Sequence, residues 1–320
     1  MTVLAFSKTA PDAREKRPSS ALSVKNVLFP TDFSPTSESA LPYAVAIARR
    51  FGGTLHLVHV LSETNLLMMS GGVDYVSMGT IYDDAHAEAK EKLEQIAMQV
   101  EGVPHRIYAR HGLIWTNLAG IVAENEIDLI VIGTHGRTGL GKLLLGSVAE
   151  RILRHAPCPA LTVGPKVSGR AKLPELYGRD LAPPEVDIRQ ILFATNFGRN
   201  AALVGGDAVS LAQEFRARLT LIHVIEDYTG LSRNPGPIED NLNRLRELIP
   251  RNAQMQYIPE TLIDFGNAPE RILKAAAERE ADMIILGAHS SSEVGGTHLP
   301  WSAAHQLIAQ AHCPVLTIRQ

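Results

Sequence analysis

Short runs of apolar residues alternate with longer amphipathic stretches along the whole chain. The first apolar run, 24–30, has the composition of a buried strand, and the segment after it predicts a helix that extends to about Phe51. Ser34 suits the N-cap of that helix and Pro35 suits its first position, because proline has no N–H to satisfy there. A glycine pair at 52–53 ends the helix. The pattern at this end of the chain therefore predicts a strand followed by a helix.

The same alternation continues to residue 163. It predicts strands at 54–60, 105–110, 128–132 and 160–163, helices at 83–100, 114–125 and 146–155, and a loop rich in Ser, Gly and Met at 62–82. Near-continuous apolar strands separated by helices are typical of a parallel sheet covered by helices on both faces. Ligands of such sheets bind beyond the carboxyl ends of the strands, at a topological switch point. We expect any site at that edge.

The second half of the chain repeats the first. Corresponding segments keep nearly constant offsets: 26–33 with 190–197 and 57–60 with 221–224 (164), Gly133 with Gly287 (154), and Cys158 with Cys313 (155). Offsets this steady indicate duplication of a whole domain rather than a short solenoid repeat. We predict a disordered N-terminal tail at 1–21, a first domain at 22–165, a proline-containing linker at 166–187 and a second domain at 188–320.

Composition narrows the class of protein. The 320 residues are 45% hydrophobic and 20% charged, as in ordinary globular domains, and the net charge of −3 favours neither nucleic acid nor an anionic membrane as a partner. No apolar stretch approaches the roughly 18 residues that a membrane-spanning helix needs. The two cysteines occupy equivalent repeat positions, which indicates packed thiols rather than a disulfide framework. These features predict a cytoplasmic protein.

One glycine-rich turn distinguishes the two halves. In the first half, the apolar run 127–132 leads to Gly133 and Gly136, and Gly146 and Ser147 follow. A strand, a glycine-rich turn and a helix N-terminus together hold phosphate, because backbone N–H groups point at the anion. In the second half the matching positions carry bulkier residues: Ser290 and Trp301 replace the two later glycines, and Asn196 replaces Asp32. The repeat therefore predicts one intact anion site and one degenerate copy that has lost the anion-binding glycines.

These motifs resemble the universal stress protein family, in its ATP-binding branch. The resemblance rests on residues 30–34, on His59-Val60, and on the Gly133-x2-Gly136-x9-Gly146-Ser147 pattern, and it covers about 24–164 and 188–319. It implies an α/β fold of two tandem, doubly wound, five-stranded parallel-sheet domains of Rossmann-like type.

The resemblance also implies an adenine-nucleotide site in the first domain, with ATP as its ligand, with or without Mg²⁺. Asp32 and Val60 would contact adenine and ribose, and the glycine-rich turn and the following helix start would hold ribose and phosphates. The implied contact residues are Pro30, Thr31, Asp32, Val60, Gly133, His135, Gly136, Arg137, Gly146, Ser147 and Val148. His135 could pack the loop instead, and Arg137 could be a solvated charge, so both alternatives stay open. A true P-loop is disfavoured, because Leu143 stands where the Mg²⁺-binding Ser or Thr should follow the lysine.

The residues indicate no catalytic group and no metal-ligand cluster, so we expect a stress-response regulatory protein with at most weak ATPase activity. Two alternatives stay open: a nucleotide-independent interaction or scaffold protein, and an enzyme that uses ATP. His59 and His223 recur although only one half keeps the glycines, which favours a structural role for both. We further expect the two domains to pair as an intrachain pseudo-dimer through 160–163 and 315–318. Association of whole chains into a homodimer stays open.

Overall fold

Parallel strands followed by helices make up each half of the chain. The computed structural model describes residues 22–62, 75–100, 102–134, 145–167, 186–226, 236–288 and 301–319. The first half contains β1 (Asn26–Pro30), α1 (Pro35–Glu38), α2 (Leu41–Phe51), β2 (Thr54–Leu61), α3 (Tyr75–Gln99), β3 (His105–His111), α4 (Ile114–Glu124), β4 (Leu129–Gly133), α5 (Ser147–His155) and β5 (Ala160–Val163). The second half contains β6 (Gln190–Ala194), α6 (Ala201–Phe215), β7 (Arg218–Ile225), α7 (Gly236–Glu247), β8 (Glu260–Phe265), α8 (Ala268–Glu278), β9 (Met283–Ala288), α9 (Trp301–Gln310) and β10 (Val315–Arg319).

Each half contributes five mutually parallel strands, in the orders β3-β2-β1-β4-β5 and β10-β9-β6-β7-β8. This doubly wound α/β architecture confirms the predicted fold class. β5 and β10 pair antiparallel, with Leu161 opposite Leu316, so the two halves form one ten-stranded sheet. At this junction the Thr162 hydroxyl donates a hydrogen bond to the Val315 carbonyl at 3.0 Å.

Helices cover both faces of the sheet. Alternate strand residues point to opposite faces, so Val27 and Phe29 belong to one hydrophobic cluster and Leu28 to another. The first cluster includes apolar side chains of α2, α3, α6 and α7, and the second includes those of α4, α5, α8 and α9. Each cluster contains residues from both halves of the chain. The two hydrophobic layers are therefore continuous across the β5–β10 junction.

The first predicted helix is in fact two helices. Ser34 is the N-cap of α1, as predicted, and its Oγ accepts a hydrogen bond from the Ser37 N–H at 3.2 Å. The helix ends at Glu38 and α2 begins at Leu41. Pro42 explains the break, since it has no N–H to donate to the Glu38 carbonyl one turn earlier.

The predicted loop at 62–82 is wrong over its last eight residues, because α3 already begins at Tyr75. Extending a formed helix by one residue costs far less than starting a new one. The strongly helical stretch after Asp83 therefore continues backwards through the Tyr, Val and Met residues that the composition assigned to a loop.

Two helices on one face link the halves of the chain. Arg50 at the end of α2 forms an ion pair with Glu214 of α6 at 3.4 Å. The adjacent rings of Phe51 and Phe215 meet edge to face at 6.3 Å. Both pairs stand at repeat-equivalent positions, so the link follows the internal symmetry.

Within the described ranges, every helix is too short or too polar to cross a lipid bilayer.

A buried polar network lies at the amino-terminal edge of the first-half strands, opposite the expected site. His56 is 1% exposed, and its ring nitrogens lie 3.2 Å from the Tyr108 hydroxyl and 3.2 Å from Asn26 Oδ1. Burial, together with the nearby Arg106 guanidinium, lowers the pKa of His56 to about 4. The imidazole is therefore neutral in the folded protein at physiological pH.

Acid should destabilise the protein partly through His56. An unfolded chain takes up this proton near pH 6.5, whereas the folded one does so only near pH 4. Stability from this group is thus complete above pH 6.5 and falls as the pH drops towards 4. We expect wild type to lose about 2 kcal/mol more than His56→Gln between pH 7 and 4.5. Urea unfolding of both proteins across that range measures the difference, and parallel pH profiles would contradict the assignment.

Candidate functional site at the carboxyl edge of the sheet

A tight turn, Thr31–Ser34, follows β1 at the carboxyl edge of the sheet. The buried Thr31 continues the ladder, with its N–H donating to the Val58 carbonyl at 2.8 Å, and its Oγ1 accepts the Phe33 N–H at 2.9 Å. The hydroxyls of Thr31 and Ser37 lie 3.0 Å apart, which ties the turn to α1. Phe33 has a φ of 61°, in the left-handed region that bulky residues seldom adopt. Such a backbone costs about 1–3 kcal/mol and persists only where neighbours enforce it.

Asp32 lies at the tip of this turn, and its Oδ1 accepts the Ser34 N–H at 3.0 Å. Glu38 of α1 is a charged neighbour of Asp32, and Lys92 of α3 lies close enough to act on Glu38 as well. Burial raises the pKa of Glu38, the Asp32 charge raises it further, and Lys92 acts in the opposite direction. The predicted adenine-contacting carboxylate therefore lies in a charged environment that includes, among the described residues, one further acid and one cation.

His59 of β2 supports the turn from the neighbouring strand. It is 8% exposed; its Nδ1 lies 2.7 Å from the Thr31 carbonyl, and its ring stacks on Phe33 with centroids 4.4 Å apart. These contacts give His59 the structural role that its recurrence in both halves favoured.

Gly133, the last residue of β4, faces α1 at very short range. A Cβ built on Gly133 would lie 2.4 Å from the Thr36 carbonyl oxygen and 2.9 Å from the Ser37 Cα. Real Cβ atoms do not approach a backbone this closely, so the packing of α1 on β4 alone requires glycine at 133. The sequence pattern assigned Gly133 to the ligand, and it carried no signal of this packing requirement.

The start of α5 is tied to the end of β4. The Gly146 N–H donates to the Thr134 carbonyl at 2.7 Å, and Gly146 caps the nine-residue helix in an extended conformation. Ser147 is exposed and Val148 is half-buried at the first two helical positions. The N–H groups of a first helical turn have no partners within the helix, and the helix dipole favours negative charge there. This helix end can therefore receive an anion.

The remaining predicted residues lie along the same edge. Pro30 is the buried last residue of β1, and Val60 is half-buried near the end of β2. β2, β1 and β4 are adjacent and parallel, so their carboxyl ends meet at one edge, and the chain order switches direction between β1 and β4. The structure thus brings together Pro30, Thr31, Asp32, Val60, Gly133, Gly146, Ser147 and Val148. His135, Gly136 and Arg137 lie outside the described residues.

The second half keeps the turn without its acid. Asn196 Oδ1 accepts the Gly198 N–H at 3.1 Å, as Asp32 does for Ser34, and Phe197 has a φ of 59°. His223 Nδ1 lies 2.9 Å from the Thr195 carbonyl. The two turns share one backbone design and differ in the charge at the tip. Ser290 and the Trp301 side chain lie outside the description.

Two neighbours of the site, Glu38 and Lys92, were not found by sequence reasoning. Lys92 is one of several charged residues on α3. The number of residues between Lys92 and β3 differs from the number between Arg244 and β8, so the repeat offsets do not align these two cations. Among the described residues, no group of three or more His, Cys, Asp or Glu side chains is arranged to hold a metal ion.

The model of the universal stress protein family matches residues 23–164 and again 187–319. The chain belongs to the universal stress protein family. Its two matches make it a tandem member.

Relatives of this universal stress protein match either about half of the chain or nearly all of it. The chain is 30% identical over 139 residues to universal stress protein MJ0531 of Methanocaldococcus jannaschii, covering 43% of this chain and 81% of that protein. It is 24% identical over 321 residues to universal stress protein Slr1230 of Synechocystis, covering 92% of this chain and 100% of that protein. A universal stress protein structure from Archaeoglobus fulgidus shares the fold, with a TM-score of 0.63 at 19% identity over 92% of this chain and 98% of that one.

Proposed function

We propose that this universal stress protein binds one adenine nucleotide, ATP, in its first domain and acts as a regulatory protein of the stress response. The observation that carries the proposal is the link from the Gly146 N–H to the Thr134 carbonyl. It ties the N-terminus of α5 to the end of β4, the strand next to β1 and its Asp32 turn. The Asp32 carboxylate, which can bind a base or ribose, and the N-terminus of α5, which can bind phosphate, therefore lie at the same edge of the sheet.

The residues at this edge suit the parts of a nucleotide. The Asp32 carboxylate can accept hydrogen bonds from an amino or hydroxyl group, and Val60 offers an apolar contact to a ring. Ser147 adds a hydroxyl donor to the backbone N–H groups at the start of α5, where the helix dipole favours phosphate. Mg²⁺, if it accompanies ATP, would be held largely by the phosphates themselves, as is usual for this ion. The proposal includes no catalytic residue and at most weak hydrolysis of ATP.

The second domain is proposed to serve as the structural partner of the first. We place the first domain at 22–165, the linker at 166–187 and the second domain at 188–320, joined as an intrachain pseudo-dimer. The antiparallel pairing of β5 with β10 supports this arrangement. Asn196 at the tip of the second turn supports a second domain that binds no ATP, because a neutral amide replaces the carboxylate.

A matched pair of substitutions tests the proposal. Asp32→Ala removes the carboxylate at the first turn, and Asn196→Ala makes the equivalent change in the second. We expect calorimetric titration to show ATP binding to wild type, weakened at least about tenfold by Asp32→Ala, because a hydrogen bond to a charged group is lost. Asn196→Ala should bind as wild type does. Equal losses in both variants, or no binding by wild type, would refute the proposal; the latter would favour the scaffold alternative.

A further inference from the structure

Both halves of the chain surround the phenylalanine of the turn with the same two partners. In the first half, His59 stacks on Phe33 with centroids 4.4 Å apart, and the Lys92 ammonium lies 5.5 Å from the Phe33 ring centroid. We call these three residues the Phe33 cluster. In the second half, the Phe197 cluster, the His223 ring lies 4.4 Å from Phe197 and the Arg244 guanidinium 3.9 Å from its centroid. A phenylalanine, a histidine and a cation thus recur together.

The two cations occur on corresponding helices at different spacings. Lys92 lies on α3, which precedes β3, and Arg244 lies on α7, which precedes β8. Lys92 also forms an ion pair with Glu88, one turn earlier on α3. Arg244 donates a hydrogen bond to Asn241 Oδ1 at 3.3 Å, one turn earlier on α7. Each helix therefore directs its cation onto the aromatic ring of the turn.

The clusters explain how a strained turn is held. Phe33 and Phe197 both have left-handed backbones, with φ of 61° and 59°. In each half, a threonine lies two residues before the phenylalanine. The histidine ring is hydrogen-bonded to the carbonyl of this threonine, and the threonine hydroxyl accepts a hydrogen bond from the phenylalanine N–H. A cation near the ring face is attracted by the aromatic quadrupole, which limits movement of the ring. The ring, and with it the left-handed residue, is thus contacted from both a strand and a helix.

In the first half, Phe33 directly follows Asp32. Any rotation of the Phe33 backbone would move the Asp32 carboxylate and its hydrogen bond to the Ser34 N–H. In the second half, the neighbouring residue is Asn196, and the position that matches Glu38 is Ala202. The same device therefore supports a ligand-facing acid in one half and a neutral turn in the other.

We propose that Lys92 is a positioning residue of the candidate site, holding Phe33 so that Asp32 stays aligned for its ligand. The inference rests on the proposed function and deepens it, because it makes α3 a regulator of nucleotide affinity. Displacement of α3 would withdraw the cation and release the turn. Lys92 acts through Asp32, on the side of the site that would bind base and ribose. The affinities for adenosine and for ATP should therefore depend on Lys92 to the same extent.

The test compares Lys92→Ala with Lys92→Arg and with Arg244→Ala as the matched control. We expect Lys92→Ala to weaken both ATP and adenosine about fivefold, a change of the size that one cation–aromatic contact supports. Lys92→Arg should restore affinity, since the second half already uses arginine, and Arg244→Ala should leave ATP affinity unchanged. Unchanged affinity in Lys92→Ala, equal losses in Lys92→Ala and Arg244→Ala, or a loss for ATP alone would each overturn the inference.

Hydrogen exchange separates this inference from the proposed function. Lys92→Ala should speed amide exchange in peptides that cover 28–36 and leave those that cover 192–200 as in wild type. Arg244→Ala should do the reverse. If wild type binds neither ATP nor adenosine, the proposed function fails, while unaltered exchange at 28–36 in Lys92→Ala refutes the positioning role by itself.

Discussion

Replacing Gly133 by alanine should destabilise the protein by about 3 kcal/mol, at the upper end of what overpacking usually costs. The new methyl group would lie 2.4 Å from the Thr36 carbonyl oxygen and 2.9 Å from the Ser37 Cα. Both are backbone atoms of α1, so no flexible side chain can move aside. α1 must shift away from β4, and it carries with it Ser37, which is hydrogen-bonded to Thr31. Urea unfolding of Gly133→Ala measures the loss.

Gly287 is the matched control for Gly133. A Cβ there would have the Val204 Cγ2 at 3.5 Å as its closest neighbour, which is ordinary van der Waals contact. Gly287→Ala should therefore change the free energy of unfolding by less than about 1 kcal/mol. Equal effects of the two substitutions would contradict the packing of α1 on β4. ATP affinity measured at a temperature where Gly133→Ala is still folded would then show whether displaced α1 also disturbs the Asp32 turn.

Gly164→Ala should destabilise the protein by about 2–3 kcal/mol through the junction between the halves. Gly164 follows β5 and is buried, and a Cβ on it would lie only 2.3 Å from the Ile308 carbonyl oxygen in α9. The added methyl must push α9 away from the end of β5. Because β5 is the strand that pairs with β10, the substitution acts where the two halves meet. Urea unfolding again measures the change.

Gly206→Ala provides the control for a glycine without close neighbours. Gly206 lies within α6, and a Cβ there would have no atom within 4 Å. Alanine stabilises a helix more than glycine does, so the free energy of unfolding of this variant should rise by about 0.5–1 kcal/mol. A stable Gly164→Ala protein would mean that α9 does not approach β5 as described.

The regular part of the fold was predictable because it depends on local pattern and on repetition. Apolar runs such as 26–30 and 190–194 are strands in both halves, and the Ser34 cap is readable from residue type alone. The constant offsets then implied that the same domain occurs twice. Likewise, the placement of Asp32, Val60 and Gly133 at one edge followed from each lying at or just after the end of a predicted parallel strand.

The contacts that shape the site were not predictable, because they join residues distant in sequence whose types are unremarkable. Nothing in the sequence near Gly133 indicates that Thr36 approaches it, and Lys92 resembles any solvated helix charge. The break between α1 and α2 depends on one missing N–H at Pro42, a detail that a hydrophobic pattern does not resolve. His56 gave no sign of its low pKa, which depends on burial in the folded sheet.

Binding of an adenine nucleotide by the first domain alone fixes the number of nucleotides that one chain can hold. Native mass spectrometry of the full chain titrated with ATP tests it most directly, since each bound nucleotide adds a discrete mass. We expect saturation at one ATP per chain, with binding strongly reduced in Asp32→Ala and retained in Asn196→Ala. Saturation at two ATP molecules per chain, or no bound ATP at all, would contradict this expectation.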